Sequence, residues 1–243
     1  HFRVVLPDQR GTGRSSRVDS HAMARLAAGG ARAQADYLKR FLADSIVRDF
    51  EHLRRTEFGG SPWVTLGQSY GGFLTLTYLS LFPEGVAASF TCGGIPHVPA
   101  NATEVYEHTF PRMARKTAQF YERYGVDADR VAAVADQLPT VAEIAEAGGI
   151  GGDSGSLPEG TPLLPNGDPL TVERLQCLGS DFGMKPSFER VHWIFDDAFV
   201  DGDGSVSAGA ALSDEFLAKV MNATSSRPLY WPLQEFIYAN GEL

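Results

Sequence analysis

The 243-residue sequence contains two cysteines, Cys92 and Cys177, too few for a disulfide scaffold. Both lie among apolar neighbours and are expected to be reduced, buried thiols. No run approaches the roughly 18 apolar residues that a membrane-spanning helix needs. Lys and Arg form no cluster, and 21 basic against 30 acidic side chains leave a formal charge of −9. Binding to nucleic acid or to an anionic membrane surface is therefore not expected. A leader pattern is also lacking, from which a cytoplasmic protein is expected, and there is no initiator Met. The sequence opens inside an apolar, strand-like run and closes just past a helical one, as an internal piece of a longer protein does.

What is present is ordinary for a folded globular chain: 43% of residues are hydrophobic and 11% aromatic, too many for a disordered one. Residues 1–96 alternate between strand and helix patterns. Phe2–Leu6 reads as a buried strand ended by Pro7. A polar loop, Asp8-Gln9-Arg10-Gly11-Thr12-Gly13-Arg14-Ser15-Ser16, follows. Residues 33–57 carry Tyr37, Phe41, Ile46, Phe50 and Leu53 at helical spacing. Trp63–Leu66 reads as a second strand, Gly71–Phe82 as a helix stopped by Pro83, and Val86–Cys92 as a third strand. Strands and helices joined by short links predict a parallel sheet with covering helices, an α/β fold. From residue 97 the character is mostly helical, over 101–147, 170–182, 186–200, 212–222 and 228–240, with a Gly/Pro-rich loop at 148–169.

Gly67-Gln68-Ser69-Tyr70-Gly71 carries the chemistry. A strand before the Gly-x-Ser-x-Gly pattern and a helix after it put the serine on a sharp, strained turn that exposes its hydroxyl at the strand's carboxyl end. Gly67 and Gly71 are expected to be glycine because a Cβ at either flank collides across the turn, and Gly72 to give room for helix–strand packing. The helix N-terminus adds positive potential where an oxyanion forms, with the Tyr70 backbone N–H as one donor. Ser69 is the candidate nucleophile.

The Asp8-Gln9-Arg10-Gly11-Thr12-Gly13-Arg14-Ser15 loop and Gly67-Gln68-Ser69-Tyr70-Gly71-Gly72-Phe73 together resemble the proline iminopeptidases of the α/β-hydrolase fold. The resemblance is strong over residues 1–96 and mainly architectural beyond. It implies a partial α/β-hydrolase core over 1–96 and a helical cap over 97–243. It also implies release of N-terminal proline from peptides through a serine nucleophile and an acyl-enzyme, with neither metal nor other cofactor. Glu235-Phe236-Ile237-Tyr238-Ala239-Asn240-Gly241 is similar to the family's cap helix, whose glutamate binds the substrate's imino group. Glu235 is thus the candidate substrate anchor, and Tyr230, Trp231 and Tyr238 are candidate walls of a proline-sized pocket. Another capped α/β-hydrolase, such as an esterase or a different peptidase, stays open, as does a non-catalytic binding protein of the same fold.

The catalytic Asp and His of such an enzyme are expected beyond Leu243, and the second oxyanion donor before residue 1. The 243 residues by themselves are accordingly expected to be inactive. His97, His108 and His192 read as surface or packing residues, and Asp196 and Asp197 as a solvated helix edge. Arg10 reads as a brace for its loop. Asp201-Gly202-Asp203-Gly204-Ser205 resembles the start of a calcium loop, but Val206 and Leu212 stand where Gly and Glu are required, so a polar turn is expected.

Overall fold

The computed structural model describes residues 3–149, 157–184, 187–200 and 209–239. The acidic turn at 201–205 lies outside them. Two short helices, α1 (Ser20–Ala24) and α2 (Gly30–Leu38), precede α3 (Ala43–Glu57). The helical pattern expected over 33–57 is thus split. Leu42 turns extended, with φ −78° and ψ 167°, and becomes the N-cap of α3. The break lets Phe41 bury from one side while Ile46 and Val47 bury from the next helix.

Strand β1 (Trp63–Gln68), helix α4 (Tyr70–Leu81) and strand β2 (Val86–Cys92) form the βαβ unit that the sequence predicts. The strands are parallel, with Leu66 opposite Phe90 and Gln68 opposite Cys92, and a register shift lies between Trp63 and Val64. One sheet face packs on α4, where Thr75 Oγ1 lies 3.1 Å from Thr91 Oγ1. On the other face Val64, Leu66 and Phe90 are exposed among the described residues.

Arg3–Leu6 is not a strand. A strand exists through its ladder partner, and among the described residues β1 and β2 are hydrogen-bonded only to each other. Val4 and Leu6 are exposed accordingly. Cys92 is also exposed, contrary to expectation, because it follows Phe90 on the bare face of β2. Cys177 is half-buried, and both thiols are free.

Beyond β2 the chain is helical: α5 (Ala102–Arg123), α6 (Val126–Ala135), α7 (Val141–Glu146), α8 (Val172–Gln176), α9 (Phe188–Asp196), α10 (Asp214–Ser225) and α11 (Tyr230–Leu233). The chain divides into two compact units, one of residues 1–106 with 228–243 and one of 107–227. The boundaries differ from the single division expected after residue 96. Residues 97–106 and the Glu235 segment pack with the first unit.

The first unit is held by Val18, Ile46, Val47 and Tyr78 and by a charged pair inside the α3–α4 packing. Glu51 and Arg54 are 3% and 4% exposed and joined by two 2.8 Å hydrogen bonds. The second unit has its own core, in which Val134, Leu170, Ala198, Phe216 and Val220 are fully buried. Asp127 is also fully buried there. It accepts from Arg130 at 3.0 Å and lies 2.8 Å from His192 Nδ1. The His192 ring stacks on Tyr124 at 4.1 Å. Asp196 and Asp197 are not merely a solvated edge, since they pair with Arg130 and Lys219 respectively.

Candidate active site

Ser69 sits between the end of β1 and the start of α4, with φ 55° and ψ −121°. It has the only positive φ of any non-glycine residue described. Such a conformation costs on the order of 1–3 kcal/mol and persists only where surrounding structure enforces it. Here the enforcement is hydrogen-bonded on both sides. The Ser69 N–H donates to the Cys92 carbonyl at 2.9 Å, and the Ser69 carbonyl accepts from the Gly72 N–H at 2.8 Å. The side chain is exposed, and the Tyr70 N–H belongs to the first turn of α4, where no intrahelical acceptor exists.

Glycine is required around this turn, but not at every position expected. A Cβ on Gly67 lies 2.0 Å from the Gly71 carbonyl oxygen, and one on Gly72 lies 2.6 Å from the Gly94 oxygen. Gly71 is different: its Cβ direction is open, with no heavy atom within 4 Å. The collision expected at Gly71 is absent because its part in the tight crossing is its carbonyl oxygen, which a Cβ on Gly67 meets, and not its own Cβ direction. Gly94, not singled out in the sequence, belongs to the turn instead. A Cβ there meets the Ser69 carbonyl oxygen at 1.9 Å, so the Gly93-Gly94 turn after β2 closes on the back of the serine.

The Asp8–Arg17 loop is braced by its own polar side chains. The Asp8 carboxylate accepts from the Arg14 N–H at 2.8 Å, and the Ser15 hydroxyl donates to the Asp8 carbonyl at 2.7 Å. Arg10 forms a two-pronged pair with Asp49 of α3, at 2.6 and 2.5 Å, and donates to the Arg40 carbonyl at 2.9 Å. It braces the loop as expected, with Asp49 of α3 as its carboxylate.

The Glu235 segment returns to this unit. The Tyr238 ring meets Phe73 edge-on at 6.1 Å, and Phe73 lies 6.4 Å from Tyr70. Glu235 follows α11 in a short 3-10 turn, Gln234–Tyr238. Its carboxylate is exposed and accepts from the Tyr106 hydroxyl at 2.8 Å. Tyr230 and Trp231 pack edge-to-face on each other at 5.1 Å. Burial pushes the Tyr70 phenol up to about 12 and also raises Tyr238. Both stay neutral hydrogen-bonding groups at physiological pH.

A family model described as the alpha/beta hydrolase fold matches residues 1–125, more than half of the chain. The chain belongs to the α/β-hydrolase family. It is 38% identical over 242 residues to a proline iminopeptidase of Aeromonas sobria, covering 99% of this chain and 50% of that protein. It is 29% identical over 247 residues to proline iminopeptidase aneH of Aspergillus aculeatus, covering 99% of this chain and 49% of that protein. The chain therefore spans about half the length of the curated relatives it matches.

In this α/β hydrolase no histidine hydrogen-bonds to the Ser69 hydroxyl among the described residues. His97 pairs with Glu104 at 3.1 Å, His108 is exposed, and His192 is held by Asp127 in the second unit. Among the described residues no group of three or more His, Cys, Asp or Glu could hold a metal ion, and no helix is long and apolar enough to cross a membrane. Gly94, Tyr106 and Gln234 are the site residues that sequence reading passed over. A Gly-Gly pair such as Gly93-Gly94 is a local turn signal; nothing local marks Tyr106 as a partner of a carboxylate 129 residues away.

Proposed function

We propose that the complete protein carrying this chain is a serine aminopeptidase that releases N-terminal proline from peptides. The observation that carries the reading is one compact unit holding both the strained Ser69 turn and the Glu235 segment, whose Tyr238 packs on the helix that Ser69 begins. The names and extents of the relatives support it. In this reading the Ser69 hydroxyl attacks the prolyl carbonyl, and the Tyr70 N–H at the α4 N-terminus stabilises the developing oxyanion. The peptide remainder leaves as an amine, and water hydrolyses the prolyl-enzyme. Glu235 anchors the cationic imino group by a charge-assisted hydrogen bond. Aromatic rings of the Tyr230–Tyr238 segment flank the pyrrolidine ring. The helical unit of 107–227 is the cap of the enzyme.

Hydrolysis of Pro-, Ala- and Leu-p-nitroanilide by the complete protein tests this. A strong preference for Pro, abolished by Ser69→Ala, is expected. Glu235→Gln is expected to raise KM about tenfold or more, since hydrogen bonds to charged groups contribute about 1.5–3 kcal/mol. Ser69-dependent hydrolysis of simple esters with no action on Pro-p-nitroanilide overturns the substrate assignment. Peptidase activity that survives Ser69→Ala overturns the nucleophile.

A further inference from the structure

Glu235 is an exposed carboxylate on a short 3-10 turn, a weak scaffold for a group that must meet a substrate cation at a fixed place. Left to itself, a glutamate side chain samples several rotamers, and binding must freeze them. Tyr106 supplies what the turn lacks. It stands one turn into α5, a long helix whose start is fixed by Asn101. The Asn101 side chain accepts from the Glu104 N–H at 2.9 Å, and its carbonyl accepts from the Val105 N–H at 3.2 Å.

The hydrogen bonds around the Tyr106 hydroxyl have a direction. Gln234 Nε2 donates to the phenol oxygen at 2.8 Å, and the phenol donates to Glu235 Oε1 at 2.8 Å. A phenol has one proton, and an amide NH₂ cannot accept it. With the amide on its oxygen, the phenol directs its proton to the carboxylate. Burial, and next the bond to Glu235, raise the phenol above its usual range, so it remains a donor throughout neutral pH. One carboxylate oxygen is held by the helix while Oε2 is left as the second acceptor.

We propose that Tyr106, oriented by Gln234, is a positioning residue for substrate selection: it presents the Glu235 carboxylate to the imino cation of an N-terminal proline. This rests on the reading of Glu235 as the imino anchor. Tyr106 does not touch the scissile bond. Its loss acts on recognition of the charged amine and not on the Ser69 chemistry.

The test uses the complete protein with Tyr106→Phe, Gln234→Met, Glu235→Gln and the double variant Tyr106→Phe/Glu235→Gln. Two substrates are compared: Pro-p-nitroanilide, which carries the cation, and p-nitrophenyl acetate, which does not. Tyr106→Phe keeps the ring and is expected to raise KM for Pro-p-nitroanilide about tenfold, equivalent to one lost hydrogen bond to a charged group. Its kcat is expected to change less than threefold, and its acetate hydrolysis not at all. Gln234→Met, which leaves the ring in place, is expected to shift KM in the same direction by a smaller factor. The double variant is expected to be no worse than Glu235→Gln, because both changes remove one interaction.

Tyr106→Phe within twofold of wild type, while Glu235→Gln raises KM, overturns the positioning role and leaves the anchor standing. Equal losses on both substrates show a structural role and overturn it as well, as do additive effects in the double variant. An unchanged KM in Glu235→Gln removes the anchor itself, and the positioning role with it.

Discussion

Replacing Glu51 by glutamine removes the negative charge at the centre of the α3–α4 packing. Glu51 accepts from Arg54 through both guanidinium prongs at 2.8 Å, from Tyr78 Oη at 2.7 Å and from Arg55 Nε at 2.5 Å. The Arg54 hydrogen bonds lead, ahead of the opposing effect of burial, in lowering the carboxyl from its ordinary 4.5 to about 2. At about 1.4 kcal/mol per pH unit that difference is worth about 3 kcal/mol of stability at neutral pH. The folded-state value is the depressed one. The contribution is therefore complete above pH 4.5 and is lost as the pH falls through the interval down to about 2. Glu51→Gln also leaves the Arg54 guanidinium, 4% exposed, with the Gly60 carbonyl but without its counter-charge. Removing one partner of a buried pair costs about 3–5 kcal/mol, consistent with the first figure. Urea unfolding of the complete protein at pH 7, repeated between pH 6 and pH 3, measures both quantities. The expected result is a loss of about 3 kcal/mol at pH 7 and an acid limb flatter than that of wild type. A loss below about 1 kcal/mol, or an acid limb identical to wild type, refutes the reasoning.

Two further substitutions separate close approach from mere sequence pattern. Gly67→Ala puts a Cβ 2.0 Å from the Gly71 carbonyl oxygen, a backbone atom that cannot turn aside. The resulting displacement of Ser69 is expected to lower kcat/KM about 100-fold. Gly71→Ala enters open space inside α4 and is expected to keep activity within about threefold and to add about 0.5–1 kcal/mol of stability. Equal losses from the two, measured on Pro-p-nitroanilide and by thermal melting, contradict the account of the turn. In the second unit, Asp127→Ala leaves Arg130 with Asp196 as its carboxylate among the described residues and removes the partner of His192 Nδ1. Calorimetric melting is expected to show a loss of about 3 kcal/mol, and a change below about 1 kcal/mol refutes the central role of Asp127.

The nucleophile turn was legible because everything that makes it is local. A β-branched run, a glycine, a serine and a helix pattern follow one another within a dozen residues, and the positive φ of Ser69 is a consequence of that succession. The parallel pairing of Trp63–Gln68 with Val86–Cys92 was legible for a similar reason, since one crossover helix joins the two strands. Apolar period gave less elsewhere. It joined α2 to α3 across Leu42, and it marked Phe2–Leu6 as a strand although a strand is defined by a hydrogen-bonded neighbour.

Asp196 and Asp197 on their own read as a solvated edge, and Glu51 and Asp127 carry no local mark at all; here tertiary structure decided. Glu51 meets Tyr78 across 27 residues, Asp127 meets His192 across 65, and Tyr106 meets Glu235 across 129. A residue type and its spacing report which face of an element is apolar. They do not report which donor from a distant element will arrive to satisfy a buried or oriented charge. The sequence by itself determined the serine turn and the βαβ frame around it. Only the tertiary structure decided how Gly94 closes that turn and how Tyr106 holds the Glu235 carboxylate, because both depend on contacts between elements that no local pattern encodes.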